Sequence, residues 1–168
     1  TPWNLLKNLD GERCHNNKKR CKFNTFSNKK VYMIGDSHMA TLTFDLKDKI
    51  IKKNYQFIAS TAGQCLFYPD FDLVRIKTQK IYETCNNRYF TKLIKNFSNE
   101  KNSIIIIGGR FPLYLSNYFF NNQEGGIEDK EMDAKYISLG KYNTIQNSFK
   151  KEVLELSKNH QIILIYPI

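Results

Sequence analysis

Residues 35–38, Gly-Asp-Ser-His, place a hydroxyl group directly between an acidic and a basic side chain. The apolar run 31–34 stops at Gly35, and the residues from His38 onwards have helical spacing, so Ser37 lies where a strand passes into a helix. A serine at this position has two explanations. It can be the N-cap of the helix, or a nucleophile beside helix amides that stabilise an oxyanion. The residues alone leave both explanations open.

Glycines follow two other apolar strands and could serve the same chemistry. Gly63 lies in the stretch Ser-Thr-Ala-Gly-Gln-Cys, residues 60–65. It is either an ordinary turn glycine or a residue whose N–H approaches a substrate because no Cβ blocks it. Gly108 and Gly109 raise the same alternatives. Arg110 beside them could bind an anionic group or cap the end of a helix.

The elements that must position these residues alternate between strand and helix. Apolar runs predict strands over residues 30–35, 56–59, 103–107 and 161–166, and residues 38–53 have helical spacing. Two further helices are predicted from apolar positions, Ile81, Cys85, Tyr89, Leu93 and Phe97 in one, and Tyr136, Leu139, Tyr142, Ile145, Phe149, Val153 and Leu156 in the other. Residues 112–131 are predicted to form a long loop. The pattern indicates an α/β protein with a mostly parallel sheet, whose functional groups gather beyond the carboxyl ends of the strands.

The composition indicates one globular domain over residues 31–168, preceded by an irregular lead-in over residues 1–30. Of the 168 residues, 41% are hydrophobic and 14% aromatic. No apolar run approaches the ~20 residues of a membrane span, and there is no initiator Met or signal peptide pattern. The net charge of +10 is best explained by a solvated lysine-rich surface. Because no nucleic-acid-binding module is present, we expect no nucleic acid partner.

The four cysteines fall into two local pairs, Cys14 with Cys21 and Cys65 with Cys85. An even number permits two disulfides, although four cysteines allow three connectivities. A zinc site using Cys14, His15 and Cys21 lacks the usual CxxC spacing, and buried free thiols are the remaining alternative. We predict disulfides and therefore an oxidising compartment.

The motif IGDSHMATL, residues 34–42, resembles the nucleophile block of the SGNH hydrolase superfamily. More narrowly, it is similar to the periplasmic SGNH domains fused to membrane acyltransferase 3 proteins, which O-acylate cell-surface glycans. The later order also fits, with STAGQC, a second cysteine on the next helix, GGRFPLYL, and the closing IILIYPI. The resemblance spans roughly residues 14–168. It implies a three-layer α/β sandwich with a mostly parallel, flavodoxin-like sheet.

The resemblance also implies site roles. Ser37 would be the acyl-accepting nucleophile, and the backbone amides of Ser37 and Gly63 would form part of the oxyanion hole. Asp36 and His38 would hold the turn. No metal and no cofactor are implied.

Two features depart from the superfamily pattern. The superfamily has an oxyanion-hole asparagine after the third strand, where this chain has Gly109 and Arg110 as possible third donor or substrate contact. The superfamily also takes its catalytic base from a D-x-x-H near the C-terminus. None of the three histidines here follows an Asp at that spacing. We therefore expect a domain truncated before its final catalytic loop and, without a base, close to inert by itself.

Three functions are consistent with these observations. The leading one is the serine acyl-transfer domain of an O-acyltransferase that modifies a surface glycan, either lipopolysaccharide or exopolysaccharide. Its partners would be an acyl donor, the glycan acceptor and an N-terminal multi-span membrane acyltransferase domain, with the SGNH domain in the periplasm. The same machinery with water as acceptor gives a carbohydrate esterase. A non-catalytic glycan-binding domain on the same scaffold is the third.

Overall fold

The computed structural model describes residues 6–115, 119–121, 127–129 and 134–166. The strands are β1 (Cys21–Phe23), β2 (Lys30–Gly35), β3 (Gln56–Thr61), β4 (Phe71–Arg75), β5 (Ile104–Gly108), β6 (Phe119–Asn121), β7 (Ile127–Asp129), β8 (Ala134–Ser138) and β9 (Gln161–Ile165). The helices are α1 (Ser37–Lys52), α2 (Asn87–Ser98), α3 (Phe111–Leu115) and α4 (Ile145–Leu156).

The central sheet confirms the predicted α/β fold. Its five strands have the order β1-β3-β2-β5-β9, and all neighbours are parallel except β1, which pairs antiparallel with β3. Taken in chain order, the four parallel strands lie in the spatial order 2-1-3-4, the arrangement of flavodoxin-like sheets. The strand order reverses between β2 and β5, where such folds bind their ligands.

The inner strands β2, β3 and β5 are buried on both faces, which explains their largely apolar sequences. On one face, Val31 and Met33 of β2 pack with Met39 of α1. On the other face, Tyr32 and Ile34 belong to a larger core that includes one face of α2 and part of α4, namely Phe90, Leu93, Phe97 and Leu156. Since side chains alternate along a strand, β2 separates α1 from the helices opposite it, which gives the predicted three layers.

The helix predicted to include Ile81 and Cys85 begins later than expected. α2 starts at Asn87, because the Asn86 side chain accepts a hydrogen bond from the Tyr89 N–H (2.9 Å) and caps the helix. Ile81 instead forms an isolated bridge to β4, and Cys85 is buried in the turn before α2. The second cysteine therefore precedes the helix, and the prediction that placed it on the helix is wrong.

The last predicted helix is also shorter. α4 begins at Ile145, because the Thr144 side chain accepts a hydrogen bond from the Asn147 N–H (3.2 Å) and caps the helix. Tyr136 belongs to β8, which pairs antiparallel with β4 in a two-stranded sheet that the sequence did not predict. The segment predicted as a long loop contains α3, β6 and β7, and its remaining residues, like the last two of the chain, lie outside the described ones.

Both predicted disulfides are present, Cys14–Cys21 and Cys65–Cys85. The zinc and free-thiol alternatives are therefore wrong, since all four cysteines are paired. The lead-in contributes β1 to the edge of the sheet through Cys21, which pairs with Ala59. Within the described residues, no helix is long and apolar enough to cross a membrane.

Candidate active site

Three strands end side by side at the point where the strand order reverses. Gly35, the last residue of β2, pairs with Thr61 of β3 on one side and with Gly108 of β5 on the other. This register brings the segments 35–38, 61–63 and 108–110 to one edge of the sheet. A Cβ on Gly35 would collide with the carbonyl oxygen of Gly108 and with the Met39 side chain. Glycine is therefore required for β2, β5 and the first turn of α1 to meet this closely.

Asp36 joins two of these segments. Its side chain is fully buried. One carboxylate oxygen accepts a hydrogen bond from the His38 N–H (2.9 Å), and the other accepts from the Arg110 N–H (3.0 Å). The first bond makes Asp36 the N-cap of α1. The N-cap explanation for Ser37 is therefore wrong, because its neighbour has that role.

Ser37 is the first residue of α1 and is half-buried. In the part of the chain that the structure describes, its hydroxyl makes no hydrogen bond to another residue. Its backbone N–H lies in the first turn of a helix, where amides have no partner within the helix. An unengaged hydroxyl beside its own unengaged helix amide has a donor of the kind that an anionic intermediate requires.

The Gly63 N–H has a partner that the sequence did not predict. It donates to the side-chain oxygen of Asn16 at 2.8 Å. Asn16 is anchored by its own N–H, which donates to the carbonyl oxygen of Thr61 (2.9 Å). The amide expected in the oxyanion hole is thus covered by an exposed side chain of the lead-in.

His15 reaches the same edge of the sheet. Its Nδ1 lies 3.2 Å from the Thr61 hydroxyl oxygen. Burial lowers the pKa of His15 below its ordinary value, and the negative charge of Asp36 opposes that shift only in part. The imidazole is therefore neutral at neutral pH. The disulfide of the adjacent Cys14 holds this segment in place.

Arg110 contacts the Asp36 carboxylate, and Gly109 lies close beside it. The Arg110 N–H donates to it, and the Arg110 Nε lies 3.7 Å from the same oxygen. A Cβ on Gly109 would lie 3.0 Å from the Asp36 Cγ and would collide with the Leu66 side chain. The Arg110 N–H is bonded to Asp36 and is therefore already engaged as a donor. The His38 side chain is exposed.

The loop after β3 is fixed by a residue from a distant strand. The Tyr136 hydroxyl donates to the Gln64 carbonyl oxygen (2.7 Å) and accepts from the Leu66 N–H (3.0 Å). The disulfide of Cys65 with Cys85 lies between these two bonds. The contact of Tyr136 with this loop was not predicted, because the apolar spacing of the sequence indicated a helix at Tyr136.

The third histidine, His160, lies at the opposite end of the sheet. It directly precedes β9 and is buried, with Nε2 3.1 Å from the Phe97 carbonyl oxygen. Of the chain's histidines, only His15 and His38 are near the strand ends described above. Among the described residues, no cluster of His, Cys, Asp or Glu could hold a metal ion.

Comparison with known proteins places the chain in a family. The model of the SGNH domain (fused to AT3 domains) matches residues 8–168, nearly the whole chain. No curated protein and no solved structure matches.

Proposed function

The chain belongs to the family of SGNH domains that are fused to AT3 domains, and from this membership we propose that it is the serine acyl-transfer domain of a surface-glycan O-acyltransferase. The family makes it an acyltransferase-associated domain. One observation supports Ser37 as the nucleophile. Ser37 is the first residue of α1, at the point where the strand order reverses, and Asp36 instead of Ser37 caps the helix. The Ser37 hydroxyl therefore has no structural task among the described residues.

The proposed reaction has two halves, each passing through a tetrahedral oxyanion. The Ser37 oxygen attacks the carbonyl carbon of the acyl donor, its proton passes to a base, and the donor's leaving group departs with a proton. The resulting serine ester is then attacked by a sugar hydroxyl, whose proton passes to the base. Collapse of the second oxyanion releases the acylated sugar and restores the Ser37 hydroxyl.

Backbone amides would stabilise both oxyanions. The Ser37 N–H is available at the start of α1, whereas the Gly63 N–H becomes available only when the Asn16 side chain moves away. Gly109 or the Arg110 guanidinium would be the third donor. The base would come from the D-x-x-H that the family resemblance implies, since no histidine of this sequence has that spacing.

The disulfides support a location outside the cytoplasm. Cys14–Cys21 and Cys65–Cys85 both require an oxidising compartment to form and persist. We propose that the domain works in the periplasm, attached to a membrane AT3 domain that passes the acyl group to it.

The test is Ser37→Ala in the full-length parent protein, with glycan acylation measured by mass spectrometry. We expect loss of at least about a thousandfold in turnover with unchanged melting temperature. Ser98→Ala, which removes a hydroxyl at the last residue of α2, is the matched control and should remain active. Acyl release to water that depends on Ser37, without acylated glycan, would indicate an esterase instead. Full activity of Ser37→Ala would refute the nucleophile and favour a glycan-binding role.

A further inference from the structure

A hollow of about 620 Å³ opens directly beside Gly63. One wall is formed by the lead-in residues Asn16 and Lys18, and another by the segment 82–84 before α2. Arg75 and Lys80, which end and follow β4, complete it. Gly63 lies two residues after Thr61, which pairs with Gly35, so this end of the hollow is at the same edge of the sheet as Ser37.

Both disulfides border this hollow. Cys14–Cys21 closes the short loop that contains Asn16 and Lys18. Cys65–Cys85 joins the end of the loop after β3 to the segment 82–84. Cys65–Cys85 thus ties the segment 82–84 to the loop of Gly63, and Cys14–Cys21 restricts the lead-in loop. A ligand would therefore meet a largely preformed shape and lose little binding free energy to ordering it.

The hollow is positively charged. Its charged lining consists of Lys18, Arg75 and Lys80 against a single acid, Glu83. Glu83 forms an ion pair with Lys18, which lowers the pKa of the Glu83 carboxyl. No carboxylate of the described residues forms an ion pair with Arg75 or Lys80. A concave surface lined by one sign of charge concentrates its potential and attracts ligands of the opposite sign.

Two further observations extend this surface. The Arg75 guanidinium lies over the ring of Tyr82, 4.8 Å from its centroid, which holds the cation at the wall. A second hollow of about 360 Å³ shares Lys18 and Glu83 and adds three cations, Arg20, Arg88 and Lys92. Because the two hollows share Lys18 and Glu83, together they form one positively charged groove that extends from Gly63 to Lys92.

We propose that this groove binds an acidic oligosaccharide and presents one of its hydroxyls to the site at Ser37. The inference rests on the proposed function and names its acceptor class, a glycan that carries carboxylate or phosphate groups. The cations would bind the acidic groups of sugars away from the reacting one. The hydroxyl to be acylated would then lie at the Gly63 end, where the Asn16 side chain now lies.

The experiment measures binding to the full-length parent protein carrying Ser37→Ala, so that no turnover is required. The carboxylate probe is hexagalacturonate, with its fully methyl-esterified form as the neutral control. The phosphate probe is mannopentaose phosphate, with mannopentaose as its control. We expect at least one acidic probe to bind about tenfold or more tightly than its neutral form, and the better one identifies the acidic group.

Two double variants locate the site. Arg75→Gln/Lys80→Gln should weaken binding of the acidic probe about tenfold, because it removes two cations from the groove. Lys49→Gln/Lys150→Gln, which removes the same charge at exposed positions of α1 and α4, should leave affinity within about twofold. Arg75→Lys/Lys80→Arg retains both charges and should bind nearly as well as the parent.

Four results would overturn the inference. Equal binding of acidic and neutral probes would exclude recognition of the charge. Equal losses of affinity in both charge-removing variants would indicate general attraction to a basic protein. The same conclusion would follow if single-stranded DNA displaced the acidic probe equally well from every variant. Loss of binding in the Arg75→Lys/Lys80→Arg variant would show that charge is not the determinant. If binding behaves as expected but Ser37→Ala retains acylation activity, the acceptor class stands and the proposed nucleophile falls.

Discussion

Replacing Asp36 by alanine should destabilise the domain, because this fully buried carboxylate accepts hydrogen bonds from two different backbone N–H groups. Loss of the N-cap bond to the His38 N–H costs about 1 kcal/mol. Loss of the bond to the Arg110 N–H leaves a half-buried donor without its acceptor and costs about 2 kcal/mol. We therefore expect the free energy of unfolding to fall by about 3 kcal/mol.

Asp36→Asn separates the two contributions. The asparagine side chain keeps one carbonyl oxygen, which can accept from the His38 N–H, but its amide group would face the Arg110 N–H donor to donor. This variant should therefore lose only the Arg110 contribution, about 2 kcal/mol. Asp45→Ala, at an exposed position of the same helix, should change stability by less than about 0.5 kcal/mol.

Urea unfolding followed by circular dichroism measures the free energy of unfolding of all three variants. The m-value, its dependence on urea concentration, should be the same in each variant. For a domain of this size, about 3 kcal/mol corresponds to a fall in melting temperature of about 6–12 °C. A loss below about 1 kcal/mol for Asp36→Ala would refute the reasoning. So would an Asp36→Asn variant as unstable as Asp36→Ala, since it would show that the cap bond contributes nothing.

Three further predictions concern His15, the disulfide of Cys65 with Cys85, and Asn16. His15 has a lowered pKa in the folded state, so the unfolded chain binds more protons at mildly acidic pH. The contribution of His15 to the free energy of unfolding should be fully present above about pH 6.5 and should decline as the pH falls below that value. Urea titrations at pH 7.5 and pH 5 measure this decline, and His15→Gln should reduce it. Cys65→Ser/Cys85→Ser should lose about 3 kcal/mol, given the separation of 20 residues; equal melting of the parent with and without reductant would contradict it. Asn16→Ala should free the Gly63 N–H and raise the acyl-transfer rate of the full-length protein about twofold or more, whereas a fall in rate would show that Asn16 assists the reaction.

The sequence predicted the inner strands of the central sheet well because they are buried on both faces. Residues 30–35 and 103–107 are continuous apolar runs, which have few explanations in a chain of this length. The β4–β8 sheet was missed because its strands are far apart in sequence and its pairing is decided by tertiary contacts. Helices α2 and α4 were predicted to start too early because their apolar pattern continues on the N-terminal side of the capping residue. That residue is Asn86 for α2 and Thr144 for α4.

The candidate site was only partly predictable. The three strand ends followed from topology, since parallel strands bring their carboxyl ends together. The choice of Asp36 over Ser37 as the N-cap did not follow, because both residue types are good caps and adjacent positions compete. The contact of Asn16 with Gly63 was missed because it joins the lead-in to a distant loop, and no local pattern encodes such a contact.

The spacing of the cysteines bears on how the chain acquires its correct cross-links. The bridges connect residues separated by only 7 and 20 positions, and the loop that includes Cys14 and Cys21 ends before Cys65 begins the next. For a chain that emerges N-terminus first into an oxidising compartment, Cys14 therefore meets Cys21 before either later thiol is present. Short loops also close at low entropic cost. The order of emergence thus favours the native pairing among the three possible ones.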